Sequence, residues 1–193
     1  MEYLTQQFLK QNNLTGRNGI DYSLRDDGKG AYIDKWNYEI AKPQFTQEQF
    51  DKAILAEVKI NKKLELERFY ISQECWTFKV FTNDANPAVL KGTYASLTRD
   101  ADFFAKVIPA SLGKTMTILD DKNQPVQYFL DAVKGQNLNY KINNENGTKI
   151  RYKKIELENQ INIAKDITSV NNIDIVNQLV SAVEREINLD NFK

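Results

Sequence analysis

The polar run Asp26-Asp27-Gly28-Lys29-Gly30 constrains this chain more than any other segment, because Tyr22 and Leu24 precede it and Tyr32 and Trp36 follow it. Apolar residues at alternate positions on both sides of a glycine-containing turn specify a β-hairpin. Glycine takes the positive φ that such a turn needs without strain. On the period of two, Tyr32 and Trp36 are expected on one face of the second strand. Lys42-Pro43 then redirects the chain, and Thr46 with Gln49 has the three-residue spacing of a capping box at a helix start. The N-terminal unit therefore reads as hairpin, proline elbow and helix, preceded by a helical segment from Met1 to Gln11.

Beyond the cap, Phe50, Ile54 and Val58 recur in steps of four, so Gln47 to about Arg68 reads as an amphipathic connecting helix. Its mixed Lys and Glu face reads as solvated surface. From Phe69 to Phe81 aromatic and β-branched content rises, with Trp76, Phe78 and Val80 alternating against Thr77, Lys79 and Phe81; this predicts a strand, broken at Asn83 to Pro87. A short helix over Asp100 to Ile108, a strand over Thr115 to Leu119 and a turn at Asp120 to Asn123 follow. Past Pro125 the spacing of Val126, Phe129, Leu130 and Val133 predicts a helix stopping at Gly135. Asn144 to Gly147 reads as a loop, and Ile150 to Ile167 as a helix through Ile155, Ile161 and Ala164. Finally, Ile173, Val176, Val180, Val183 and Ile187, widened by Leu179, form a two-heptad apolar stripe of a C-terminal amphipathic helix. Such a face packs on its own domain or on a partner.

The fold class is α+β: a helix-and-hairpin unit over residues 1–45, a connecting helix over 46–70, and a small mixed α/β domain with a C-terminal helix over 71–193.

The chain has 193 residues, 27% of them charged, with Lys plus Arg equal to Asp plus Glu and a formal net charge of zero. No excess of either sign advertises nucleic acid or an anionic membrane, and an assembled protein partner fits better. With no histidine and only Cys75, the commonest general base, the zinc site and the intramolecular disulfide are all missing. Cys75 lies in the aromatic run Glu74 to Phe78, where a lone cysteine is a small buried hydrophobe. Asp26-Asp27 and Asp120-Asp121 are hard oxygen donors, but each pair sits in a turn where aspartate bonds its own backbone, without calcium-loop spacing. Gly113-Lys114-Thr115 lacks the upstream glycine of a phosphate loop. No catalytic, cofactor-binding or metal-ligating residue is expected, and the protein is not expected to be an enzyme. No stretch has the ~18 uncharged apolar residues of a membrane span, and the N-terminus lacks the basic and apolar regions of a secretion signal, so the expected place of action is the cytoplasm or a particle assembled there.

The order Asp21, Leu24-Arg25-Asp26-Asp27-Gly28, Gly30, Tyr32-Ile33, Lys35-Trp36-Asn37, followed by Pro43 and Thr46-Gln47-Glu48-Gln49, resembles the XkdW family of small proteins from the tail regions of phages and phage-like elements. The resemblance covers roughly the first fifty residues and implies a tail or baseplate role without catalysis. Farther on, Leu97-Thr98-Arg99-Asp100 before a helix and Thr115 to Asn123 before another are similar to a domain of unknown function in phage tail and tail-fibre-assembly proteins. The tryptophan of that pattern is absent, Met116 and Ile118 taking the strand instead.

Together these readings predict a virion structural protein of the tail, baseplate or fibre, assembled in the host cytoplasm. Its partners would be other tail or fibre proteins and possible further copies of itself, not nucleic acid or membrane. Alternatives are an assembly chaperone absent from the mature particle and, of another class, a small nucleic-acid-binding or host-inhibitory phage protein. The candidate interface residues are Tyr32, Trp36, Ile173, Val176, Val180, Val183 and Ile187.

Overall fold

A computed structural model describes residues 1–26, 31–83, 85–90, 114–120 and 122–192. The protein is α+β and forms two compact units, Met1–Asn61 and Lys62–Lys193, with the division falling inside one long helix.

In the first unit, helix α1 (Glu2–Gln11) buries Thr5 and Leu9 on one face. Gly16 follows where a Cβ would overlap the Tyr38 hydroxyl, which donates to the Thr15 carbonyl at 2.9 Å, so a larger residue would displace that side chain. Strands β1 (Tyr22–Asp26) and β2 (Ala31–Trp36) pair antiparallel as expected, while residues 27–30 of the expected turn lie outside the described residues. The register holds a correction. Ser23 pairs with Lys35 and Leu24 with Ile33, so Asp34 is an extra residue in a β-bulge. One inserted residue inverts the alternation beyond it, so Trp36 pairs with Tyr22 on one face while Tyr32 pairs with Arg25 on the other. The Lys35 N–H, freed by the bulge, donates to the Ser23 hydroxyl at 3.1 Å.

The elbow leads into α2 (Gln47–Ile71), and the capping box is present in both directions. The Thr46 N–H donates to Gln49 Oε1 at 2.8 Å and the Gln49 N–H to Thr46 Oγ1 at 3.3 Å, satisfying two donors that a helix start leaves open.

The second unit begins with the last turns of α2, which run to Ile71 and are closed by Ser72, whose hydroxyl donates to the Phe69 carbonyl at 2.7 Å. The strand expected from Phe69 is thus helix at first. Glu74–Trp76 is a 3₁₀ turn and β3 begins only at Phe78 (Phe78–Thr82). The Trp76 indole N–H reaches back to the Tyr70 carbonyl at 2.5 Å, which holds its buried ring under the helix end. The strand breaks at Asn83 as expected, but the break is short, since Ala85–Leu90 is strand β4, antiparallel to β3. Pro87 is tolerated because β4 is an edge strand. The predicted helix at 100–108 and Gly113 lie outside the described residues.

Strand β5 (Lys114–Leu119) and the turn after it are as expected: Asp120 accepts from the backbone of Lys122 at 2.8 Å and Gln124 at 2.7 Å, with Asn123 at φ 59°. The helix expected after Pro125 is instead β6 (Pro125–Leu130), antiparallel to β5. Val126, Tyr128 and Leu130 fit a period of two as well as their neighbours fit a helix, and the tight Asp120–Asn123 turn decides for the strand. A helix does follow, but α3 (Ala132–Asn139) starts at the Asp131 cap, whose carboxylate accepts from the Lys134 N–H at 2.8 Å. Gly135 lies inside it, not at its end.

The Asn144 to Gly147 loop is absent too. A π-helical segment (Tyr140–Asn146) joins α3 to α4 (Gly147–Ile163), and the buried Asn146 amide donates to the Glu184 carbonyl at 3.4 Å. Instead of running to Ile167, α4 ends at Ile163. Asp166 caps a new short helix α5 (Ile167–Asn171), accepting from the Ser169 N–H at 2.7 Å.

The C-terminal amphipathic helix is likewise replaced. Asp174 caps α6 (Ile175–Val180), accepting from the Asn177 N–H at 3.0 Å, and the chain then turns into β7 (Glu186–Asn188), parallel to β3. A final 3₁₀ turn spans Leu189–Asn191. The central sheet has the order β4-β3-β7, and one core joins its Phe78, Val80 and Ile187 to Tyr128 and Leu130 of the hairpin and Ile150, Leu157 and Ile161 of α4. The Tyr128 hydroxyl donates to the Val80 carbonyl at 2.9 Å, locking the β5–β6 hairpin to β3.

Arg185 closes this unit. Its guanidinium donates to the carbonyls of Cys75 at 2.6 Å, Thr77 at 3.4 Å and Leu179 at 3.0 Å, its Nε to Val180 at 3.0 Å, and it lies over the Phe78 ring at 5.3 Å. Burial pulls its pKa below the usual arginine value, with Cys75 opposing. Arg185→Met should cost about 3 kcal/mol in urea unfolding, because acceptors arranged for a cation lose it. Arg185→Lys should recover less than half of that, since an ammonium cannot span the fork.

Asp190 offers a second test. The Lys134 ammonium at 2.7 Å, with the Asn83 N–H at 2.8 Å, holds its carboxyl below the ordinary 3.8. A depressed folded pKa contributes stability above the unfolded value, and that contribution is lost as pH falls through the folded one. Acid titration of the melting temperature should therefore be shallower below pH 3.8 in Asp190→Asn than in the parent.

Candidate interaction surfaces

Trp36 stands at the centre of an aromatic cluster in the first unit. Its ring lies 5.9 Å from Phe8, 6.5 Å from Tyr22 and 4.7 Å from Tyr38, all tilted, and its indole N–H donates to the Ile40 carbonyl at 2.8 Å. Tyr22 beneath it is buried, its hydroxyl accepting from the Gln6 amide at 2.7 Å, and burial raises its phenol pKa. Half-buried and fully engaged, Trp36 organises the hairpin, while Tyr32 is exposed on the other face. The two aromatic residues therefore do not form one surface.

The C-terminal stripe does not survive either. Ile173, Val183 and Ile187 belong to the core, whereas Val176 and Val180 are exposed. Within α6 the inward face is carried by Ile175 and Leu179, one residue before Val176 and Val180. The spacing that looked like a seam is produced by a cap, a short helix, a turn and a strand in succession.

A different surface comes together on α4. Ile150, Leu157 and Ile161 face the core, so the opposite side carries Tyr152, Ile155 and Ile163, which are 69%, 51% and 76% exposed. The expected line through Ile155 and Ile161 was wrong because these residues, six apart, lie on different faces. The three exposed side chains run along about 16 Å of helix. The neighbouring charges are already paired: Lys153 with Glu156 at 2.6 Å, and Lys149 with Glu145 at 3.0 Å. Hydrogen bonds from Lys141 and Lys149 hold the Glu145 carboxyl below its ordinary pKa. On the inward edge Lys154 bridges Glu67 at 2.8 Å and Glu158 at 3.0 Å and lies over Tyr70 at 5.1 Å. Burial opposes its charge, but the two carboxylates raise its pKa overall.

The polar groups have structural work. Cys75 is buried, and burial pushes its thiol up to about 11 against the opposing Arg185 cation, far from thiolate reactivity at neutral pH. Asp120, Asp131, Asp166 and Asp174 are occupied as turn and helix caps. Of the two acidic pairs, Asp27 and Asp121 lie outside the described residues.

Residues 16–62 match the family model described as XkdW protein, a phage-associated family; the match spans the hairpin, the elbow and the first part of α2. No curated protein and no solved structure matches the chain.

The split of the C-terminal stripe is directly testable. Val183 is 8% exposed and Val180 36%. Val183→Asp buries a carboxylate without a partner and should cost several kcal/mol, about 3 or more. Val180→Asp should stay within about 1 kcal/mol of the parent. Thermal unfolding followed by circular dichroism separates the two.

Proposed function

We propose that this chain is a structural component of a phage tail, baseplate or fibre, acting by protein–protein contact without catalysis. The observation that carries the reading is the match of residues 16–62 to a phage-associated family. The exposed Tyr152, Ile155 and Ile163 stripe supports it, since apolar side chains at helical spacing are what a docking helix presents. The proposed partners are another tail or fibre protein and further copies of the chain. Equal numbers of basic and acidic residues argue against nucleic acid or an anionic membrane as the main partner. The absence of histidine and the buried, unreactive thiol of Cys75 argue against hydrolytic or thiol catalysis.

Mass spectrometry of purified particles tests the placement. A fixed copy number per particle supports it. Absence from particles, with the chain found on fibre proteins in the lysate, would replace the virion reading by an assembly chaperone. The surface itself has a separate test: Tyr152→Glu with Ile163→Glu should leave the circular dichroism spectrum unchanged, because both side chains already stand in water. The same pair should lower incorporation into particles at least about tenfold, an apolar anchor in an interface being worth ~2 kcal/mol or more.

A further inference from the structure

The first unit holds a groove of about 330 Å³ between α1 and the elbow, at the small end of the ~300–1,000 Å³ typical of ligand pockets. Its floor is apolar: Leu4 and Phe8 from α1, Pro43 and Phe45 from the elbow, all half-buried. Its rim is made of the exposed side chains Gln7, Gln11, Gln44 and Gln49. Leu4, Gln7, Phe8 and Gln11 share one face of α1 by their three- and four-residue steps, opposite the buried Thr5 and Leu9.

We propose that this groove binds an uncharged, extended peptide segment of another protein, with an apolar side chain on the floor and its backbone along the glutamines. Each primary amide carries one carbonyl acceptor and two N–H donors, the same functions that a peptide group presents, so glutamine can pair with main chain at two points. The side-chain amides of Gln7, Gln11 and Gln44 make no hydrogen bond among the described residues. Gln49 spends its Oε1 on the Thr46 N–H, and its NH₂ makes no bond among the described residues.

None of the eight lining residues is charged, although charged residues make up 27% of the chain. The groove thus complements a neutral segment, since an ion placed there would lose water and gain no counter-charge. The floor is also fixed in advance. Phe8 rests on Trp36 at 5.9 Å, Phe45 stands edge-on to Phe50 at 5.9 Å, and the Lys42 ammonium pins the elbow to the Ile33 carbonyl at 3.1 Å. Rings already held cost little further entropy on binding. A saccharide would use the same amides, and its binding in place of the peptide is one outcome of the test. The assignment concerns this unit alone and stands whether or not the chain enters a particle.

The test is proton–nitrogen NMR of the full chain titrated with the acetylated, amidated pentapeptide Ser-Gly-Leu-Gly-Ser and its counterparts with Lys or Asp at the centre. Saturable shifts of the side-chain NH₂ signals of Gln7, Gln11, Gln44 and Gln49 are expected with the leucine peptide. Affinity should be at least about tenfold lower for the two charged peptides. Because Phe45→Ala could unsettle the elbow, the deciding variant is Gln7→Glu with Gln44→Glu, both exposed. It should keep the circular dichroism spectrum and weaken the leucine peptide about fivefold or more. The proposal is overturned if the leucine peptide gives no saturable shift, if all three peptides bind equally, or if maltohexaose moves these signals and the peptide does not.

Discussion

The second unit depends on one half-buried arginine. Arg185 is separated from Cys75 and Thr77 by more than a hundred positions, yet its guanidinium takes their carbonyls together with those of Leu179 and Val180. Among the described residues no carboxylate pairs with it; the charge is satisfied by the negative end of α6 and by the open carbonyls of the 3₁₀ turn. The Arg185 carbonyl meanwhile accepts from the Lys79 N–H at 2.8 Å, which begins the parallel pairing of β7 with β3. One residue therefore ends a helix, closes a turn and starts a strand pairing. A side chain fixed at five positions sets the register, because a slip of one residue would leave a desolvated cation beside groups that cannot accept from it.

That constraint explains why the C-terminal stripe misled. Ile173, Val176, Val180, Val183 and Ile187 have helical spacing, and nothing local to Arg185 announces that it will seek carbonyls in a distant turn. A local signal was available all the same. Asp166 and Asp174 each precede a residue three positions on, Ser169 and Asn177, whose N–H they accept, and an aspartate cap inside an apolar periodicity marks the start of a new helix. The first unit was more legible because its determinants are short-range: the alternation around the hairpin, and the Thr46 and Gln49 pair, whose two hydrogen bonds lie within one turn. Its one hidden feature is the bulge at Asp34, since a single extra residue leaves composition and spacing unchanged while inverting every later face.

Two further differences come from ambiguity that local pattern cannot remove. Residues 126–133 satisfy both a helical and a strand period, and the hairpin wins because Met116 and Ile118 across the turn already present a matching inward face. Asn146-Gly147 is a strong turn signal, yet it sits in continuous helix where a π-segment absorbs the chain. There the Asn146 amide gains the Glu184 carbonyl, a contact made across 38 positions that sequence spacing does not encode. Interaction surfaces were harder still to read, because Tyr152 and Ile163 differ from core residues only in which side of α4 they occupy.

The physical setting of that stripe bears on what it can do. Its helix is fixed from behind by Ile150, Leu157 and Ile161 and along one edge by Lys154, which holds Glu67 and Glu158 together. Side chains on such a helix lose little backbone freedom when covered, so that part of the ordering cost of binding is already met by the fold. Three side chains are nevertheless far short of the ~800 Å² per partner that a stable pairwise interface buries. The stripe is therefore suited to act as an anchor within a larger contact or as one of many repeated contacts. In a repeated assembly each weak contact is made at high effective concentration once its neighbours are in place, so modest individual affinity adds up to a stable whole.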